Sequence, residues 1–136
     1  MPDKTVAHRK ALLKYALSLP ETFEDHPWGE SVAKVGPREK KSAKIFVFFG
    51  VAQPKELMVC VKLPESGADT LALPFSKPAG YGMGKHGWVH ATFGEKDLPP
   101  LELIEGWILE SYRAVAPKKL VGALAGAAPA RSRRKR

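Results

Sequence analysis

The chain has 136 residues, with 22 Lys and Arg against 14 Asp and Glu and a formal net charge of +8. That length suits one domain with its own core, typically about 100–150 residues, and a composition 44% hydrophobic and 26% charged excludes wholesale disorder and fibrous repeats. The single cysteine, Cys60, excludes a disulfide framework or a zinc site of several thiolates and points to a reducing, cytoplasmic setting.

Residues 3–19 repeat apolar side chains at helical spacing, with Leu12, Tyr15, Ala16 and Leu19 on one stripe. Asp3 suits the N-cap and Pro20 a stop. No apolar run reaches the roughly 18–20 residues of a membrane helix. His8, Arg9, Lys10 and Lys14 also interrupt the place where a signal peptide would keep its apolar core. An acidic loop follows, carrying Glu21, Glu24, Asp25 and Glu30. Residues 31–35 and 43–49 then read as a hairpin around a basic turn, and Lys44-Ile-Phe-Val-Phe-Phe49, apolar on both faces, predicts a central strand. Gln53-Pro-Lys-Glu56 supplies a turn, and residues 57–63, with β-branched Val59 and Val61, continue the meander as a third strand. Residues 65–73 fit a short helix or an irregular segment. Residues 77–87 hold glycine at four positions and read as a loop, followed by a strand over 88–93. Asp97-Leu-Pro-Pro100 opens a helix whose buried stripe is Leu101, Ile104, Ile108, Tyr112 and Val115, with Pro117 at its end. The small residues and proline of 120–130 read as a mobile linker. The expected fold is α+β: a single domain over 1–120, an antiparallel β-sheet flanked by N-terminal and C-terminal helices, then a flexible linker and basic tail over 121–136.

The positive charge is not evenly spread. Arg131, Arg133, Arg134, Lys135 and Arg136 crowd the last six positions, so the remainder is only mildly basic. A second cluster, Lys34, Arg38, Lys40, Lys41 and Lys44, sits around the first hairpin turn, and Lys77, Lys85 and His86 border the glycine-rich loop. With the acidic bias of residues 21–30, this predicts a polarised molecule.

Catalysis would need a nucleophile with its base, paired carboxylates in a cleft, a metal cluster or a cofactor fingerprint, and none is legible. His86 and His90 are four apart, which ligates zinc from a helix, but along a strand that offset is about 13 Å. Cys60 lies in an apolar strand with no marked histidine partner and reads as a small core residue. Gly80-Tyr-Gly-Met-Gly84 precedes a strand, whereas a phosphate-cradling loop precedes a helix. Glu21, Glu24 and Asp25 with His26 and Trp28 read as a solvated face before a pocket. The expectation is a protein that is not an enzyme and uses no metal or cofactor.

Several segments in one order resemble the MmcQ/YjbR family. They are Leu19-Pro-Glu-Thr-Phe-Glu-Asp-His-Pro-Trp28, Lys44-Ile-Phe-Val, Leu57-Met-Val-Cys-Val-Lys62, Gly80-Tyr through Lys85-His-Gly-Trp-Val89, Ile108-Leu-Glu-Ser-Tyr-Arg-Ala-Val115 and Lys119-Leu120. The resemblance covers roughly residues 4–121, and Pro20, Trp28, Phe46, Lys62, Tyr81, Trp88, Ser111 and Tyr112 match its recurring pattern. It implies a double-wing-like sheet flanked by helices and a DNA-binding role, with no catalytic residues to carry over.

Together these readings predict a DNA-binding protein of low sequence specificity that tracks phosphates of double-stranded DNA. Arg38, Lys40, Lys41 and Lys44 would act on one wing, Lys77, Lys85 and His86 on another, and Arg131 to Arg136 as an arm. Two alternatives are a small-molecule-binding domain, with a pocket between sheet and helices near Trp28, Tyr81 and Trp88, and a module for protein or RNA partners.

Overall fold

Six strands form one antiparallel sheet in the order β1-β2-β3-β4-β6-β5. They are β1 (Thr22–Asp25), β2 (Ser31–Val35), β3 (Lys44–Gly50), β4 (Glu56–Lys62), β5 (Ser76–Pro78) and β6 (Trp88–Gly94). Helices α1 (Lys4–Leu17) and α3 (Leu101–Val115) pack on one face of the sheet, while α2 (Gly67–Leu71) and α4 (Lys118–Ala127) are shorter. The structure is a computed structural model and describes residues 4–36, 43–80 and 83–127.

The apolar stripes read from the sequence meet in this core. Leu12, Tyr15, Ala16 and Leu19 at the N-terminal end and Ile104, Trp107, Ile108 and Tyr112 of α3 close over Val47, Val59, Val61, Val89 and Ala91 of the sheet. Apolar area removed from water here is the main stabilising contribution, at roughly 25 cal/mol per Å². Phe75, Phe93 and Trp107 form an aromatic row with centroid separations of 4.5 and 6.3 Å.

A bulge explains how β3 fills the core with two adjacent residues. The β2–β3 register slips between Ala33 and Lys34, so Ala33 faces Val47 while Lys34 faces Ile45, and Phe46 is the extra residue. Phe46 and Val47 therefore both turn toward the helices, leaving Ile45 and Phe48 on the opposite face. At the other end of β3, Gly50 has φ +65°, and a side chain there would meet the Met58 methyl at 2.5 Å.

Three segments differ from the sequence reading. The acidic loop contains β1, a short polar edge strand whose pairing with β2 is set by the partner and not by its own apolar pattern. The glycine-rich loop begins with β5, an edge strand that tolerates Pro78, and includes a 3-10 turn over Met83–His86. Residues 118–127 form a helix where a mobile linker is expected. Pro117 precedes its first turn, where a missing donor costs nothing, and Ala and Leu favour the helix; Leu120 packs on the core. Residues 65–73 resolve to the short-helix alternative.

Candidate functional site

The sheet is two three-stranded halves, β1-β2-β3 and β4-β6-β5, joined by a short seam. Across it β3 and β4 register only at Val47 with Val61 and Phe48 with Cys60. The next rung would join Phe46 to Lys62, and the Ser111 hydroxyl of α3 is inserted there instead. It accepts the Lys62 N–H at 2.9 Å and donates to the Phe46 carbonyl. At the far end of the seam Arg9 of α1 donates to the Phe49 and Gly50 carbonyls at 2.9 and 2.6 Å. Burial lowers the pKa of that guanidinium, opposed by the charge of Glu24. Both helices thus supply polar groups that complete the backbone pairing where the halves part.

Five of the residues that carry the family resemblance meet at this seam. Phe46, Lys62 and Ser111 form the relay just described, Tyr112 packs edge-on against Phe46 at 5.3 Å, and the Tyr112 hydroxyl donates to the Pro20 carbonyl at 2.8 Å. Their positions account for them as structural residues. Glu110, which no local sequence signal marks, accepts from the backbone N–H groups of Glu65 and Ser66 and from the Ser66 hydroxyl at 2.6–2.9 Å. It thereby satisfies donors at the start of α2 from a distant helix.

The strand order gathers several of the described basic residues at one end of the sheet. Because neighbouring strands run antiparallel, the end of β2, the start of β3, the end of β4 and the start of β6 lie together. Lys34, Lys44 and Lys62 therefore share that end with the 3-10 turn bearing Lys85 and His86, and Lys77 lies one strand further out, opposite His90. Gly36 and Ala43, which bracket residues 37–42, are at the same end; a side chain on Gly36 would come within 3.0 Å of the Ala43 backbone. Lys44, Lys77, Lys85 and His86 are exposed, and Lys34 is paired with Asp25 at 2.8 Å. Glu21 and Glu65 flank this end and Asp25 reaches it through Lys34, while Glu24, Glu30, Glu56, Glu95 and Asp97 lie toward the opposite one, which also holds Arg9, Lys55 and Lys96. Both ends of the sheet thus carry cations, and they differ in the balance of charge. Arg38, Lys40, Lys41, Tyr81 and Arg131, Arg133, Arg134, Lys135 and Arg136 lie outside the described residues.

A second feature occupies the sheet face away from the helices. Ile45 and Phe48 of β3, Met58 and Cys60 of β4 and His90 of β6 floor a concave space of about 630 Å³, walled by Ala79, Gly80 and Met83 and reached by Glu30. The volume between sheet and helices, where the sequence allows a pocket, is instead filled by the core. Phe48 meets Trp88 edge-on at 5.5 Å. Burial, with the charge of Glu30, pushes the Cys60 thiol up to about 12, and burial next to Lys77 lowers the His90 pKa against the opposing charge of Glu56. His90 Nε2 lies 3.2 Å from the Thr92 hydroxyl. His90 and Cys60 are register partners, but among the described residues no three His, Cys, Asp or Glu converge as a metal site. Among the same residues no helix is long and apolar enough to cross a membrane.

An antiparallel sheet of two short-seamed halves, closed on one face by α1 and α3, defines an α+β domain of the YjbR class. The YjbR family model matches residues 17–114, and the chain belongs to the MmcQ/YjbR family, which is not a known enzyme family. It is similar to the crystal structure of Deinococcus radiodurans protein DR2400, a DUF419 domain, with a TM-score of 0.62 and 26% identity over 76% of this chain and 75% of that one. No curated protein matches the chain.

Proposed function

We propose that this chain is a non-enzymatic, cytoplasmic DNA-binding protein that contacts the phosphate backbone of double-stranded DNA through the basic end of its sheet. The observation that carries this reading is the strand order. It brings Lys44, Lys62, Lys85 and His86, which are scattered over more than forty positions of sequence, to one end of the sheet, next to the residues that bracket 37–42, with Lys77 on the outer strand beside them. Each half of the sheet contributes cations, so both act as wings, and the acidic residues at the other end orient the molecule in the field of a polyanion. Arg38, Lys40 and Lys41 extend the first wing, and Arg131 to Arg136 supply an arm. Contacts of this kind fix position without reading bases.

The test is duplex binding as a function of salt. Each phosphate contact removed flattens the slope of log affinity against log salt by about 0.9, so deletion of residues 131–136 lowers the slope, and Lys44→Glu with Lys85→Glu weakens binding further. Glu56→Lys at the opposite end leaves affinity nearly unchanged. A full chain that fails to bind duplex DNA at low salt, or loses as little from Lys44→Glu and Lys85→Glu as from Glu56→Lys, overturns the reading.

A further inference from the structure

The concave space on the outer face of the sheet is not needed for phosphate tracking, and its chemistry is specific. Its floor is apolar and partly aromatic, from Ile45, Phe48, Met58 and Cys60, and its volume of about 630 Å³ falls within the roughly 300–1,000 Å³ of small-molecule sites. The two titratable groups in that floor, the Cys60 thiol and the His90 imidazole, are both held toward their neutral forms by burial. A flat, uncharged ring suits such a floor. The rims are charged and opposite in sign. Lys77 stands across the strand from His90 and Lys85 lies two residues beyond Met83 on the wall, both exposed. At the other rim Glu30 reaches the space close enough for its charge to act on Cys60, and its carboxylate has no hydrogen-bond or ion-pair partner among the described residues.

We propose that this outer-face pocket binds one nucleotide unit. The base lies on Phe48 and Met58 with its polar edge toward Glu30, to which a base N–H donates, and the phosphate lies past His90 and meets Lys77 and Lys85. An aromatic ring bearing both an N–H donor and an anionic group is the ligand chemistry that matches a neutral apolar floor between a carboxylate and two ammonium groups. Base stacking on an exposed sheet aromatic is favourable by about 1–3 kcal/mol in single-strand binders. The same unit can come as a free mononucleotide or as an unpaired base of a single strand. The pocket shares Lys77 and Lys85 with the duplex surface but stands independently of it, since a duplex keeps its bases stacked inside.

The test is calorimetric titration of the full chain with AMP, adenosine and single-stranded oligo-dA, with duplex DNA alongside. AMP binds saturably, adenosine binds about tenfold more weakly because a charge-assisted contact is lost, and Glu30→Ala weakens both. Gly80→Trp fills the wall where a side chain meets open space, and it abolishes AMP binding while leaving duplex binding in place. His90→Ala, which removes the polar group of the floor, is the second variant and weakens AMP in a folded protein. Displacement of AMP by oligo-dA identifies the strand as a source, and AMP binding with no displacement identifies the free nucleotide. The proposal falls if AMP gives no saturable heat up to millimolar concentration, if adenosine binds as well as AMP, or if folded Gly80→Trp and His90→Ala bind AMP like the parent chain. Failure of duplex binding alone overturns the phosphate-tracking reading and not this one.

Discussion

The two faces of one sheet are built from the same strands and reach opposite outcomes. On the inner face Val47, Val61, Val89 and Ala91 alternate into a layer sealed by α1 and α3. On the outer face their immediate neighbours Phe48, Cys60 and His90 lie in one cross-strand row that continues to Lys77 on one side and Val32 on the other. Neither α1 nor α3 lies over this row; the 3-10 turn of Met83–His86 walls one side of it, Val32 and Cys60 within it are buried, and its centre forms the floor of the pocket. Apolar content alone therefore does not separate core from site. What separates them is whether another element closes over the face, and whether titratable groups are placed within it.

Phe46 and Phe48 test that difference most directly, because they are the same residue type on one strand and the bulge sends them to opposite faces. Phe46→Ala opens a cavity beneath Tyr112 and should cost about 3–5 kcal/mol in urea unfolding. Phe48→Ala trims a half-buried ring beside open space and should cost less, about 1–2 kcal/mol. Equal losses would mean that the outer face is packed as tightly as the inner one.

Cys60 sharpens the comparison from the side of pH. In the folded chain its thiol is pushed up from 9.0 to about 12 by burial first and Glu30 second. Well below pH 9 the thiol is protonated in both folded and unfolded chains. Above that the unfolded thiol ionises first, so stability falls as pH rises toward the folded value, by up to about 4 kcal/mol. Cys60→Ala should remove that part of the alkaline loss. Native Cys60 should resist alkylation near neutral pH and react once urea unfolds the chain.

Ser111 gives the next smaller effect, and it probes how the two faces are held in one sheet. Its hydroxyl stands in for a rung between Phe46 and Lys62, so Ser111→Ala strands a buried N–H and a carbonyl at once. A loss of about 1–3 kcal/mol is expected, with faster hydrogen exchange at the Lys62 amide. Ser111→Thr, which keeps the hydroxyl, should recover part of it.

The sequence made the inner face legible because its signals are local. The helical stripe of Ile104, Ile108 and Tyr112 and the alternation of Leu57, Val59 and Val61 each state which side is buried without reference to any partner. The apolar character of β3 on both sides correctly marks a central strand, but it cannot show that only one side is closed. The site is legible as a set of cations and not as a place. Lys44, Lys77, Lys85 and His86 are recognisable by charge, whereas the meeting of Lys44, Lys85 and His86 at one end, with Lys77 beside them, follows from strand order. Lys62, Ser111 and Glu110 act through partners 44–65 positions away, beyond any local pattern. Likewise β1 is too short and polar to announce itself, and it is defined by its pairing with β2.

The smallest effect expected is an acid-side one at His90, and it distinguishes a half-closed pocket from open surface. Burial and the neighbouring Lys77 ammonium both disfavour the charged imidazole, while Glu56 favours it less strongly, so the folded pKa lies below the ordinary value. As pH falls through the usual imidazole range, near about 6.5, the unfolded chain takes up its proton first and stability drops with it. The loss ends once pH has passed below the folded value. Proton NMR of the ring should therefore show His90 titrating below the ordinary imidazole value, and Lys77→Ala should move it partway back up. If His90 titrates at the ordinary imidazole value, its burial on the outer face is too slight to shape a ligand site, and the contrast between the two faces reduces to core against plain surface.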